Sequence, residues 1–179
     1  MFIKENSALV VVDIQEKLAR AMHSKEKLIE YSVKLIQGMK VLDVPIITTE
    51  QNPKGLGLTV PAITAELTGN KPVVKLSFSC CDEKAFVQKL KAIKRNQIVL
   101  AGIEAHVCVY QTALDLISMG YEVEVAVDCI DSRSEENKKM ALQKMVMAGV
   151  GLTSMEMILF DLLKVAEGTK FKEILKIVK

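Results

Sequence analysis

Three residues with chemically active side chains stand where short apolar runs end. Asp13 closes the run Ala8–Val12, Lys75 follows Val73 and Val74, and Cys108 comes shortly after the run Gln97–Ala101, where a helical pattern begins. A carboxylate, an ammonium and a thiol are the parts of a nucleophilic cysteine site. A cysteine in the first turn of a helix feels the partial positive charge of the helix N-terminus, and a nearby lysine adds to it; both lower a thiol pKa. A carboxylate beside the thiol can accept its proton as the sulfur attacks. Each residue taken singly also has a structural reading, as a strand-end aspartate, a lysine with its stem buried, and a small buried hydrophobe. The chemistry needs all three at one place.

The surrounding pattern supplies such a place. Ala8–Val12, Val44–Thr49, Pro72–Leu76, Gln97–Ala101, Glu122–Val127 and Val150–Thr153 read as six short strands, most of them nearly all apolar. Helical spacing fills the gaps. Ser24 caps a helix facing inward with Leu28, Tyr31, Leu35, Met39 and Leu42, and Asp82 caps one with Phe86, Leu90 and Ile93. Val107–Met119 reads as a helix stopped by Gly120. Ser134 and Ser154 start two more, and Lys170–Lys179 is a short amphipathic one. Gln51–Gly57 reads as loop, and Pro61–Leu67 as one or two helical turns. Strands alternating with helices give a three-layer, Rossmann-like α/β/α fold on a parallel sheet. Such sheets bind ligands beyond the carboxyl ends of their strands, at the switch in strand order. With no repeat or linker, residues 1–179 are expected to form a single domain.

Composition excludes several functions. There are 24 Lys and Arg against 22 Asp and Glu, a net charge of +2, with 4% aromatics and no Trp. That leaves no basic footprint or stacking platform, so neither nucleic acid nor a membrane is expected as partner. A small molecule is. The four cysteines, Cys80, Cys81, Cys108 and Cys129, form no C-x-x-C pair and are joined by only two histidines, so no metal is expected. No G-x-G-x-x-G or P-loop pattern calls for a cofactor. Free thiols without an export signal suggest the cytoplasm.

Three segments carry a family resemblance: Val12-Asp13-Ile14-Gln15, Val74-Lys75-Leu76-Ser77-Phe78-Ser79, and Gly102-Ile103-Glu104-Ala105-His106-Val107-Cys108-Val109. Together they resemble the isochorismatase-like cysteine hydrolases, from Ala8 to about Phe160, including Asp131-Ser132-Arg133 and Ala148-Gly149-Val150. The resemblance implies a six-stranded sheet of order 3-2-1-4-5-6 and an Asp, Lys, Cys triad on Asp13, Lys75 and Cys108. Lys75 would then reach across the end of strand two, about 10 Å of sheet. It also implies a cis peptide at Ile103–Glu104, with Gly102 giving the backbone room and the N–H groups of Glu104 and Cys108 forming an oxyanion hole. Family members are commonly dimers or larger. Where nicotinamidases carry an Asp-x-His metal motif, this chain reads Thr49-Glu50-Gln51-Asn52-Pro53, which points to the metal-free subgroup.

The activity implied is hydrolysis of a small amide through a thioester. Two alternatives stand beside it: a vinyl-ether hydrolase using Asp13 as acid with Cys108 a bystander, and a non-catalytic binding module. Gln15, Gln51 and Phe78 are candidate substrate contacts. Gln15 has further readings as a brace for Asp13 or a helix cap, and Phe78 as core. His106 is two residues from Cys108, a spacing that does not share a helix face.

Overall fold

Every residue of β1 (Ser7–Val12) is buried, as a strand covered on both faces requires. The computed structural model describes all 179 residues, Met1–Lys179. β2 (Ile46–Gln51) and β3 (Val73–Lys75) extend the sheet to one side of β1; β4 (Gln97–Ile103), β5 (Glu122–Asp131) and β6 (Gly151–Thr153) extend it to the other. All pairs are parallel and the order is β3-β2-β1-β4-β5-β6, as the resemblance implied. The chain reverses direction across the sheet between β1 and β4, so the switch point lies where Asp13 and Glu104 leave their strands.

Two helical layers cover the sheet. α2 (Lys25–Val41), α8 (Met155–Leu163) and α9 (Gly168–Val178) pack on one face; α5 (Lys84–Ala92), α6 (Tyr110–Ser118) and α7 (Glu135–Met147) pack on the other. Strand residues alternate between the two cores. Leu9 and Val11 join Leu35, Met39 and Leu159, while Val10 and Val12 join Phe86, Leu116 and Met145. Each such side chain contributes about 1.5–3 kcal/mol by leaving water. The short helices α1 (Glu16–Arg20), α3 (Pro53–Leu56) and α4 (Pro61–Glu66) lie in the connections after β1 and β2. No helix is long and apolar enough to cross a membrane.

Some local expectations are corrected. Asp82 does not cap α5. Ser79 caps a tight turn over Cys80–Asp82, and Glu83 then takes the cap, accepting from Ala85 N. The middle of the Gln51–Gly57 loop winds into α3, with Pro53 at its first position, where a missing N–H costs nothing. β5 continues to Asp131, past the expected end at Val127, after a register shift opposite Leu100 and Gly102. The segment from Val107 does not begin as regular helix. Ala105–Val109 form one wide turn, closed by Val109 N donating to Glu104 O at 3.2 Å, and α6 starts at Tyr110. Ser134 and Ser154 cap their helices as expected.

Gly102 is required by its surroundings. It pairs with Val12, its φ is +130°, and a Cβ there would lie 2.1 Å from the Val12 carbonyl oxygen. Only glycine lets β4 pass this close to β1. The Ile103–Glu104 peptide just beyond is cis, as the resemblance implied.

Candidate active site

Asp13 turns off the end of β1 with φ +49° and has no exposed surface. Its Oδ1 accepts from Thr49 Oγ1 at 2.7 Å. Its Oδ2 lies 2.6 Å from Lys75 Nζ and accepts no other hydrogen bond within the chain. Lys75 ends β3, opposite Gln51 in register, and is 1% exposed. Its stem passes the end of β2 as expected, and its ammonium also donates to the carbonyls of Ser77 and Phe78 at 3.0 Å each. Burial pushes the Lys75 pKa down. The acidic groups around it, Asp13 first and then Cys80 and Cys108, outweigh that and hold it above the ordinary lysine range.

Cys108 lies in the wide turn before α6 and is 4% exposed. Its Sγ donates to Gln51 Oε1 at 3.2 Å. Lys75 draws the thiol pKa down, but burial first and then Asp13 push it up, to about 12. The expected lowering is therefore corrected: the sulfur sits too deep, and too close to a carboxylate, for the positive charge to prevail. The other thiols are raised by burial too, Cys80 to about 11 and Cys81 to about 12. What distinguishes Cys108 is its position, since all four are protonated at neutral pH.

The remaining candidates fall into two groups. Gln51 reaches the sulfur. Gln15 does not: it is fully buried, Nε2 donating to the carbonyls of Gln51 (3.0 Å) and Gly57 (2.6 Å), with Oε1 accepting from Gln51 N at 2.7 Å. It braces the end of β2 and has no surface to offer a substrate. Phe78 is not core; it is 53% exposed, and its carbonyl touches Lys75. Glu104 lies beyond the last β4–β5 pair, Ile103–Asp131, and its N–H donates to no acceptor in the chain. His106 is not paired with Cys108; its Nδ1 lies 3.0 Å from Ser132 Oγ.

Several supporting residues carry no signal at sequence level. The Glu104 carboxylate is held by Arg133 Nε at 3.0 Å. Ser79 Oγ donates to Asp115 Oδ2 at 2.5 Å, and Cys80 N to Thr112 Oγ1 at 3.0 Å. These two bonds tie the loop that cradles the Lys75 ammonium to α6. Each joins residues more than thirty positions apart, so no local pattern announces it. No three His, Cys, Asp or Glu side chains converge as a metal cage. A cleft of about 560 Å³ opens at the amino ends of the strands, lined by Asn6, Asn96 and Tyr121, away from Cys108.

The sequence profile of the isochorismatase domain matches residues 7–157. Isochorismatase domain-containing protein 2 of Xenopus laevis is 37% identical over 175 residues, which cover 98% of this chain and 84% of that protein. Its namesake in Rattus norvegicus is 39% identical over 176 residues, 98% and 82% of the two chains. Among solved structures, the MAR1 ribonuclease of Caenorhabditis elegans superposes with a TM-score of 0.93 at 40% identity, covering 99% of this chain and 91% of that one. The YcaC gene product of Escherichia coli, described as an octameric hydrolase of unknown specificity, gives 0.93 at 23% identity, covering 98% and 88%. Profile, relatives and fold agree: the chain belongs to the isochorismatase family.

Proposed function

We propose that this protein is a cysteine hydrolase acting on a small amide, with Cys108 as nucleophile, Asp13 as proton carrier and Lys75 as the fixed positive charge beside both. The observation that carries this reading is the 2.6 Å Asp13–Lys75 ion pair with both side chains out of water, next to a thiol on which both act. Charges are costly to bury, and hydrophobic packing stabilises a fold as well or better. A buried pair beside a nucleophile is accounted for by chemistry.

The mechanism follows from the neutral thiol. No thiolate waits at rest, so the proton moves to Asp13 Oδ2 as the sulfur attacks the amide carbon. The carbonyl electrons move to oxygen, which the N–H groups of Glu104 and Cys108 receive. Collapse expels the nitrogen, which takes the proton from Asp13 and leaves as ammonia or an amine. Water then gives a proton to Asp13 and attacks the thioester carbon. The sulfur leaves, recovers that proton, and the acid product departs.

The test is a panel of small amides, carbamoyl compounds, a vinyl ether and an RNA oligonucleotide, run with wild type, Cys108→Ala and Asp13→Asn. Amide turnover should fall in both variants, by about 10³-fold or more in Cys108→Ala. Alkylation separates the roles further. Asp13→Asn removes a group that raises the Cys108 pKa, so Cys108 should react faster with iodoacetamide at pH 8 while turnover collapses. Vinyl-ether hydrolysis that survives Cys108→Ala would overturn the nucleophile. RNA cleavage dependent on Asp13 would move the reading toward the activity named for the Caenorhabditis elegans neighbour. An oligomer, dimer or larger, belongs to the same proposal, supported by the octamer described for the Escherichia coli neighbour. Light scattering at micromolar concentration should give at least twice the chain mass, and a monomer overturns it.

A further inference from the structure

Side chains alternate along a strand. Thr49 and Gln51 of β2 face the thiol side of the sheet, so Thr48 and Glu50 face the other, where they line a cavity of about 240 Å³ beside α4. Leu58 and Leu67 give this cavity apolar walls. Two of its polar groups lack partners. Glu50 is 6% exposed. Its Oε1 accepts from Thr59 N and Thr59 Oγ1 at 2.7 Å each, while its Oε2 accepts from nothing in the chain. Glu50 takes part in none of the chain's ion pairs. Lys89 reaches Asn70 on the same wall, but its ammonium donates to Asn70 Oδ1 at 3.3 Å and to the Lys71 carbonyl at 3.1 Å. Thr48 is 2% exposed, and its Oγ1 has no partner either. A buried carboxylate without a cation and a buried hydroxyl without a partner are both costly. On one face of one strand, they call for a ligand that donates hydrogen bonds and carries positive charge.

We infer that this cavity binds a small primary ammonium ion, R–NH3+, with a short hydrocarbon body. An ammonium carries one positive charge and three donors. It donates to Glu50 Oε2 and to Thr48 Oγ1, and its hydrocarbon lies against Leu58 and Leu67. The volume falls below the roughly 300 Å³ at which sites for drug-sized ligands begin, which limits the body to a few carbons. Other ligand classes fit less well. Hard metal ions gather several oxygen ligands, commonly more than one carboxylate, whereas Glu50 is the sole acid lining the cavity. An anion is repelled by Glu50, and a neutral alcohol leaves its charge uncompensated. The cavity shares no lining residue with Asp13, Lys75 and Cys108, so its occupation is independent of any turnover there.

The experiment titrates n-butylammonium chloride into the full chain and follows the methyl resonances of Thr59, Thr64 and Leu67 by NMR. n-Butanol and potassium chloride are titrated beside it. In wild type the amine should give saturable shifts at millimolar concentration. Butanol should bind about tenfold more weakly or worse, having no charge to offer Glu50, and potassium chloride should leave the shifts unchanged. Glu50→Gln keeps an Oε1 for Thr59 and turns an NH2 toward Thr48, so its melting temperature should not fall, while its affinity for the amine drops about tenfold or more. Thr48→Val should weaken binding about fivefold. Absence of saturable shifts in wild type overturns the inference. Butanol binding as tightly as the amine makes the cavity a plain apolar hole and overturns it too, as do potassium chloride giving the same shifts and an unchanged affinity in Glu50→Gln. If Glu50→Gln melts below wild type, Thr48→Val carries the test, and equal affinity there is the overturning result.

Discussion

The two sides of the β1–β4 junction are built from different materials. All seven residues of β4, Gln97–Ile103, are buried, and only the first is polar. β2, on the other side of β1, ends in four polar residues, of which Thr48, Thr49 and Glu50 are buried. The thiol side needs only a stiff apolar wall behind the wide turn that carries Cys108. The acid side must hold a carboxylate and an ammonium away from water, so each polar atom there needs a partner. β2 divides that work between its faces. Thr49 and Gln51 point to the site, toward Asp13 and Cys108. Glu50, on the opposite face, accepts from Thr59 N and Thr59 Oγ1 at 2.7 Å each, and Thr59 bridges to Gln15, the brace of Gln51. The geometry of the proposed site depends on polar bonds in one half of the sheet and on packing in the other.

The sharpest way to break that contrast is to remove one buried charge. Lys75→Met strands Asp13 and should cost about 3–5 kcal/mol in urea denaturation. The double variant Asp13→Asn with Lys75→Met should recover most of that loss. Ile98→Val, which trims the β4 wall, should cost only about 1 kcal/mol. If Lys75→Met costs no more than Ile98→Val, the two halves are not different in kind.

A smaller effect concerns alkaline pH. Cys80 is raised from 9.0 to about 11 by burial, so above pH 9 the unfolded chain releases a proton that the native state keeps. Its stability contribution is therefore whole below pH 9 and is lost as pH rises through the folded value, by about 1.4 kcal/mol per pH unit. Urea midpoints measured from pH 8 to pH 10.5 should fall, and fall less steeply in Cys80→Ala. Equal slopes would mean that the thiol is not held out of water as its full burial indicates.

The strand pattern made the architecture readable because a parallel sheet buries whole strands, and nothing but long apolar runs can satisfy that. The meeting of Asp13, Lys75 and Cys108 was readable because they sit at or just beyond strand ends, which the topology gathers at one edge. The state of the thiol was not. Helix start and lysine argued for a low pKa, whereas depth of burial, a tertiary quantity, decides it upward. Gln15 and Gln51 could be named as candidates, but not told apart, because thirty-six residues separate the brace from the residue it braces. The Glu83 cap was missed because Ser79 commits the preceding residues to a turn of their own.

The bonds Ser79–Asp115 and Cys80–Thr112 make the lysine loop and α6 one strut. The ammonium hangs from one end of it, and the sulfur sits one turn before the other. The loop that holds the Lys75 ammonium and the turn that carries Cys108 are therefore anchored to the same helix. The compliant part of the wall is the Gln51 side chain opposite. Its two bonds are long, 3.2 Å from the sulfur and 3.4 Å to the Leu76 carbonyl, while Gln15 fixes its main chain at 2.7 Å and 3.0 Å.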